Sequence, residues 1–112
     1  MEKNVIISIL YSYYGKLLTD KQAEAIDLYY NEDLSLTEIA DLQGVSKQSV
    51  SETIKRSEKI LLDYENKLAL VAKLNKLQDY IYKLEEKLIN DLGNDQYSEY
   101  MDLIFQIKQE LK

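Results

Sequence analysis

Residues 44–59 read GVSKQSVSETIKRSEK and set Lys47, Lys55, Arg56 and Lys59 along a predicted helix, in a chain whose formal net charge is −6. Cations spaced this way can hold phosphate oxygens and, if the helix enters a groove, reach base edges. A solvated Lys/Glu face gives a similar string, so the surroundings must decide. If Val50, Ile54 and Leu61 mark the buried side, an advance of about 100° per residue puts Gln48, Glu52, Lys55, Arg56 and Lys59 on the opposite one. Residues 46–60 hold four basic side chains against two acidic ones, so charge is sorted locally against the global balance. The candidate DNA contacts are Lys47, Lys55, Arg56 and Lys59 to phosphate or base, Gln48 to adenine, and Ser46, Ser49 and Ser51 on the same segment. Glu52 can accept from cytosine or repel phosphate.

Such a helix needs a turn and a partner helix to present it. Ser35 with Glu38 forms a capping box that opens a short helix, LTEIADLQ, and Gly44 closes it. Ser46 caps the next helix. Ala40, Gly44 and Val50 then have separate tasks: a small residue where two helices cross, a positive φ in the turn, and a core contact shared with Ile54, Ile39 and Leu36. These are the ingredients of a helix-turn-helix. Upstream, Ile6, Ile9, Leu10, Tyr13, Tyr14 and Leu17 follow helical spacing, and Thr19 with Gln22 caps a second helix that turns Ala23, Ile26 and Tyr30 inward and stops near Asn31. Downstream of Ser46 no breaker stands between Lys47 and about Asn90, so one long helix is expected. LGND interrupts it before a last helix on Tyr97, Met101, Ile104, Ile107 and Leu111.

Composition bounds the class. With 112 residues, 46% hydrophobic content, no Pro and three Gly, the chain is expected to be all-α, with a core rather than disorder. The absence of Cys and His removes disulfides, thiolate metal sites and the commonest general base. No phosphate loop and no nucleophile–base pair can be named, so neither enzyme chemistry nor a cofactor is expected. The apolar run near the N-terminus is broken by Ser8 and Ser12, and no segment reaches the roughly 20 apolar residues of a membrane span. A cytoplasmic location is expected. Ten of the eleven aromatics are Tyr, at apolar positions of helical patterns, which favours packing over base stacking.

The pieces LLTDKQ, LYYNEDLSLTEIAD, GVSKQSV and IKRSEKIL, within residues 17–68, resemble the YlxM family of small bacterial proteins, which are similar to region 4 of primary-type sigma factors. The resemblance implies a sigma region 4-like helix-turn-helix bundle and a regulatory role tied to the signal recognition particle, components of which are then possible partners. In the family pattern Arg stands at the position of Lys47, a larger aromatic at Ser51 and another acid at Glu52. Lys cannot reproduce the bidentate guanine contact of Arg.

The C-terminal part poses its own question. Leu74, Ile81 and Leu88 fit heptad position a, and Leu70, Leu77 and Leu84 position d, with Lys73 and Lys87 at g and Glu85 at e. The seam is short, and the last helix can fold back to cover it in part. Two segments are expected: a helix-turn-helix domain over 1–66 and, over 67–112, a helical dimerisation or packing segment that continues the long helix. The expected protein is a homodimeric DNA-binding regulator of modest affinity, since the acidic balance opposes non-specific phosphate binding. The alternative is a sigma-like interaction module for protein or RNA that binds no specific DNA.

Overall fold

The computed structural model describes residues 2–111, the side chain of Asn94 excepted. It is all-α, with no strand among the described residues. Helices α1 (Lys3–Tyr14), α2 (Asp20–Ile26), α3 (Leu36–Gln43) and α4 (Lys47–Leu68) build one compact unit, residues 1–69; α5 (Leu70–Glu110) forms a second, residues 70–112.

In the first unit the caps hold as their residue types require. The Thr19 hydroxyl accepts from the Gln22 amide at 3.2 Å while the Gln22 side chain accepts from the Thr19 amide at 3.0 Å. Ser35 and Glu38 repeat the exchange at 3.1 Å both ways. Each box satisfies two of the N–H groups that a helix start leaves unpaired. Helix α4 is the hub against which α1, α2 and α3 pack. Its inward stripe is Val50, Ile54, Ser57 and Leu61, all buried, and Ile39 and Ala40 of α3 are buried as well. Ser57 is tolerated there because its hydroxyl donates back to the Thr53 carbonyl at 2.6 Å.

Three local features differ from the sequence reading. In α1 the fully covered positions are Ile7, Leu10 and Tyr14, while Ile6, Ile9 and Tyr13 are half-buried and Leu17, in a 3-10 turn, is exposed. Helix α2 passes into a π-helical turn, Asp27–Asn31, before Asp33 takes a φ of 56°. Its covered residues are Ala25 and Ile26, with Ala23 and Tyr30 only half-buried.

The expectation of one unbroken helix from Lys47 to about Asn90 is overturned. Helix α4 ends at Leu68, and Ala69 sits in the left-handed region at φ 51°, its N–H donating to the Glu65 carbonyl at 2.7 Å. This is the geometry of a helix C-terminus, on a residue with none of glycine's freedom. The boundary between the units thus falls at 69/70.

In the second unit α5 is interrupted at Gly93, whose φ of 75° and ψ of 174° no helix accommodates. The arms, 70–92 and 94–110, meet where Lys108 pairs with Glu85 at 2.5 Å and lies 4.9 Å from the centre of the Tyr82 ring. Ile104 is buried, Tyr97, Ile107 and Leu111 are half-buried, and Met101 is exposed rather than inward. Of the heptad residues, Leu74, Ile81 and Leu88 are half-buried, whereas Leu70, Leu77 and Leu84 are exposed.

Candidate nucleic-acid interface

Gly44 adopts φ 66° and ψ 36° directly after α3, and its N–H and that of Val45 both return to the Ala40 carbonyl. A Cβ at this glycine would meet nothing within 4 Å. The backbone angle alone therefore selects glycine here, since an L side chain in the left-handed region costs about 1–2 kcal/mol. Ala40 is buried beside the turn. Ser46 then opens α4, its hydroxyl accepting from the Ser49 amide at 3.0 Å. Two helices joined through a left-handed glycine, the second capped at its first residue, define a helix-turn-helix.

The outward side of α4 follows from the inward one. Lys47, Gln48, Glu52, Lys55, Arg56 and Lys59 are exposed, opposite Val50, Ile54 and Leu61. Among the described residues Lys47, Lys55 and Arg56 take part in no ion pair, while Lys59 pairs with Asp63 at 3.1 Å, one turn on and largely exposed. Such a solvated pair contributes little and yields readily to a phosphate. Gln48 donates to Glu52 at 3.4 Å, a long bond between two exposed ends. Ser46 has its hydroxyl lone pair engaged in capping and keeps its proton available to donate. Ser49 and Ser51 are half-buried. Ser51 lines a small cleft of α4 together with Lys55, Glu58, Lys3, Tyr29 and Tyr30.

That cleft brings in residues the spacing argument did not reach. Glu58 accepts from the Tyr30 hydroxyl and pairs with Lys3 at 3.1 Å, its own side chain only 12% exposed. One of the two acids on the candidate segment is thereby turned away from the outward face and neutralised. Burial, and then the Glu58 carboxylate, push the Tyr30 hydroxyl well above the ordinary tyrosine range. Burial, reinforced by Asp27, raises Tyr11 likewise. A second clamp fixes α4 further along: the Tyr14 hydroxyl donates to Glu65 at 2.6 Å, and its ring stacks on Tyr64 with centroids 5.9 Å apart. Tyr14, Tyr30 and Tyr64 are therefore packing and clamping residues of the first unit. Position was the available signal for Glu58: it lies four residues beyond Ile54 and three before Leu61, on the flank of the buried stripe.

No group of acidic residues that could hold a metal ion occurs among the described residues. Among the described residues no helix is long and apolar enough to cross a membrane.

This arrangement is that of a helix-turn-helix protein whose second motif helix displays its cations outward. Residues 1–104 match the family model described as "Putative helix-turn-helix protein, YlxM / p13 like". The chain is 40% identical over 111 residues to a UPF0122 protein of Clostridium acetobutylicum, covering 99% of this chain and 96% of that one. It is 45% identical over 95 residues to a UPF0122 protein of Clostridium perfringens, covering 85% and 81%. A UPF0122 protein of Clostridium botulinum is 47% identical over 88 residues, covering 79% and 81%. The chain belongs to this YlxM/p13-like UPF0122 helix-turn-helix family.

Proposed function

We propose that the protein is a DNA-binding regulator that inserts the first half of α4 into a major groove. The observation that supports this reading is the exposed row Lys47, Lys55 and Arg56, without intramolecular ion pairs among the described residues, on a capped helix that follows a left-handed glycine turn. Lys55, Arg56 and Lys59 approach phosphates, and Gln48 and Lys47 meet base edges near the helix start, where Ser46 and Ser49 also reach backbone oxygens. Glu52 discriminates by accepting from cytosine and by repelling misplaced phosphates. The net charge of −6 holds non-specific attraction down, so that binding depends on a narrow set of contacts. The link to the signal recognition particle pathway, implied by the family resemblance, names the setting in which such a regulator acts.

The test is selection of bound sequences from a random DNA pool at near-physiological salt, followed by salt titration of the selected site. Log affinity should fall linearly with log salt, with a slope near −0.9 per phosphate neutralised. Lys55→Ala combined with Arg56→Ala should shallow that slope by about 2 and weaken all sequences alike, and Gln48→Ala should change preference at one base position. Failure to enrich any DNA, with structured RNA or a protein bound instead, would replace this reading by that of an interaction module.

A further inference from the structure

We propose that the cleft on the flank of α4 is a second phosphate site, in which Lys3 joins Ser51 and Lys55 on the backbone of one DNA strand. The inference rests on the major-groove reading and adds to it a contact from α1. An α-helix with its side chains is about 10–12 Å across and the major groove about 12 Å wide, so a helix seated there has one phosphate backbone along each flank. Measured from the buried stripe Val50, Ile54, Ser57 and Leu61, at about 100° per residue, Lys55 and Arg56 stand about 130° round on opposite sides. They therefore address different strands. Ser51 and Glu58 lie about 90° and 70° round on the side of Lys55. These three line the cleft together with Lys3, which α1 brings in.

The chemistry of the cleft suits one phosphate. Its volume of about 160 Å³ is several times the roughly 30 Å³ share of a water molecule. Glu58 is the obstacle, and the fold disposes of it. Its carboxylate accepts from the Tyr30 hydroxyl and from Lys3, and is 12% exposed where the Lys3 side chain is 70% exposed. The pair thus turns its positive end to solvent. An ammonium has three donors, of which Glu58 takes one at 3.1 Å, so others remain for a phosphate oxygen. Lys55 enters no ion pair among the described residues, and Ser51 supplies a hydroxyl. The adjoining cleft, which shares Lys3, is lined by Asp33, whose carboxylate repels a second phosphate. The strand is thereby held at the Lys55 end.

Neutral methylphosphonate linkages, placed one at a time along both strands of the selected DNA site, locate each contact. One position should cost the wild type about fivefold in affinity near 0.15 M salt, the counterion-release value of one phosphate, and cost Lys3→Ala distinctly less. It should fall on the strand that couples to Lys55, opposite the one that couples to Arg56. Lys3→Ala should itself weaken binding about fivefold and shallow the salt slope by about 1. A lysine that only masks Glu58 gives a different pattern: Lys3→Ala with Glu58→Gln, equal in net charge to the wild type, would then restore full affinity. Contact with phosphate keeps this double variant about fivefold below Glu58→Gln alone, in which Tyr30 retains an acceptor. Unchanged helical circular dichroism in each variant separates lost contact from lost folding. Full restoration in the double variant overturns the cleft inference and leaves the groove reading standing. So does a Lys3 that couples to no phosphate while Lys55→Ala with Arg56→Ala shallows the slope. A wild type that binds no DNA overturns both.

Discussion

Residues 1–69 and 70–112 are built from the same materials, amphipathic helices rich in Leu, Ile, Tyr and Lys, yet they bury them differently. In the first unit one helix, α4, is enclosed by three others, and Tyr14, Ile26, Ile39, Val50 and Leu61 are all nearly or completely removed from solvent. In the second, two arms face each other, and among the described residues Val71 and Ile104 alone are buried, neither of them completely. Two helices share a single seam, so whatever apolar surface lies beside it stays wet.

The largest expected effect tests this contrast directly. Leu61→Ala opens a cavity in a fully enclosed site and should destabilise the first unit by about 2–5 kcal/mol in denaturant titration. Leu77→Ala, at a half-exposed position, should change the stability of the monomeric chain by less than about 0.5 kcal/mol. Equal costs would show that the second unit's outer stripe is already covered within the chain. Next in size is Tyr14→Phe, which leaves the ring stacked on Tyr64 but removes the donor to Glu65; about 1.5 kcal/mol should be lost. The matching change at an exposed ring of the second unit, Tyr100→Phe, should cost almost nothing. Gly44→Ala should cost about 1 kcal/mol, with Gly44→Asn costing less, because strain in the backbone and not lack of room selects glycine.

The two units also differ in how much of each was legible. Where a feature is written in local chemistry, the sequence shows it: both capping boxes, the cap at Ser46, the turn at Gly44 and the stripe Val50, Ile54, Leu61 all depend on residue types within one or two turns of each other. In α1 the seam is shifted because Val5, Ile6, Ile7, Ile9 and Leu10 spread apolar surface over about 200° of the helix, and only contact with α4 and the Asp27–Asn31 turn decides which of them is covered. The end of α4 was illegible for the opposite reason. Alanine is the best helix former, so nothing local announces a left-handed Ala69. The candidate interface divides likewise. Its outward cations could be read from periodicity, whereas the neutralisation of Glu58 by Lys3 and Tyr30 joins residues distant in the chain, which no spacing rule connects.

The smallest effect sharpens a comparison inside the first unit, between its two capping boxes. They share a geometry but differ at one atom: Gln22 closes the Thr19 box with an amide oxygen, Glu38 closes the Ser35 box with a carboxylate. The bonds from the Ser35 backbone, and then its side chain, hold the Glu38 carboxyl below the ordinary carboxylate range. In the unfolded chain a glutamate titrates near 4.3. A pKa lower in the folded state means that the folded state binds the proton less readily, so the box's contribution is complete above the unfolded value. It is then lost as pH falls through the folded one. Acidification should therefore lower the hydrogen-exchange protection of the Ser35 and Glu38 amides, taken relative to the intrinsic rate at each pH, while the Thr19 and Gln22 amides keep theirs. In Glu38→Gln the two boxes become chemically alike, and the difference between them should vanish at every pH. If both boxes open in step on acidification, the loosening belongs to the whole unit and the carboxylate at Glu38 is not its cause.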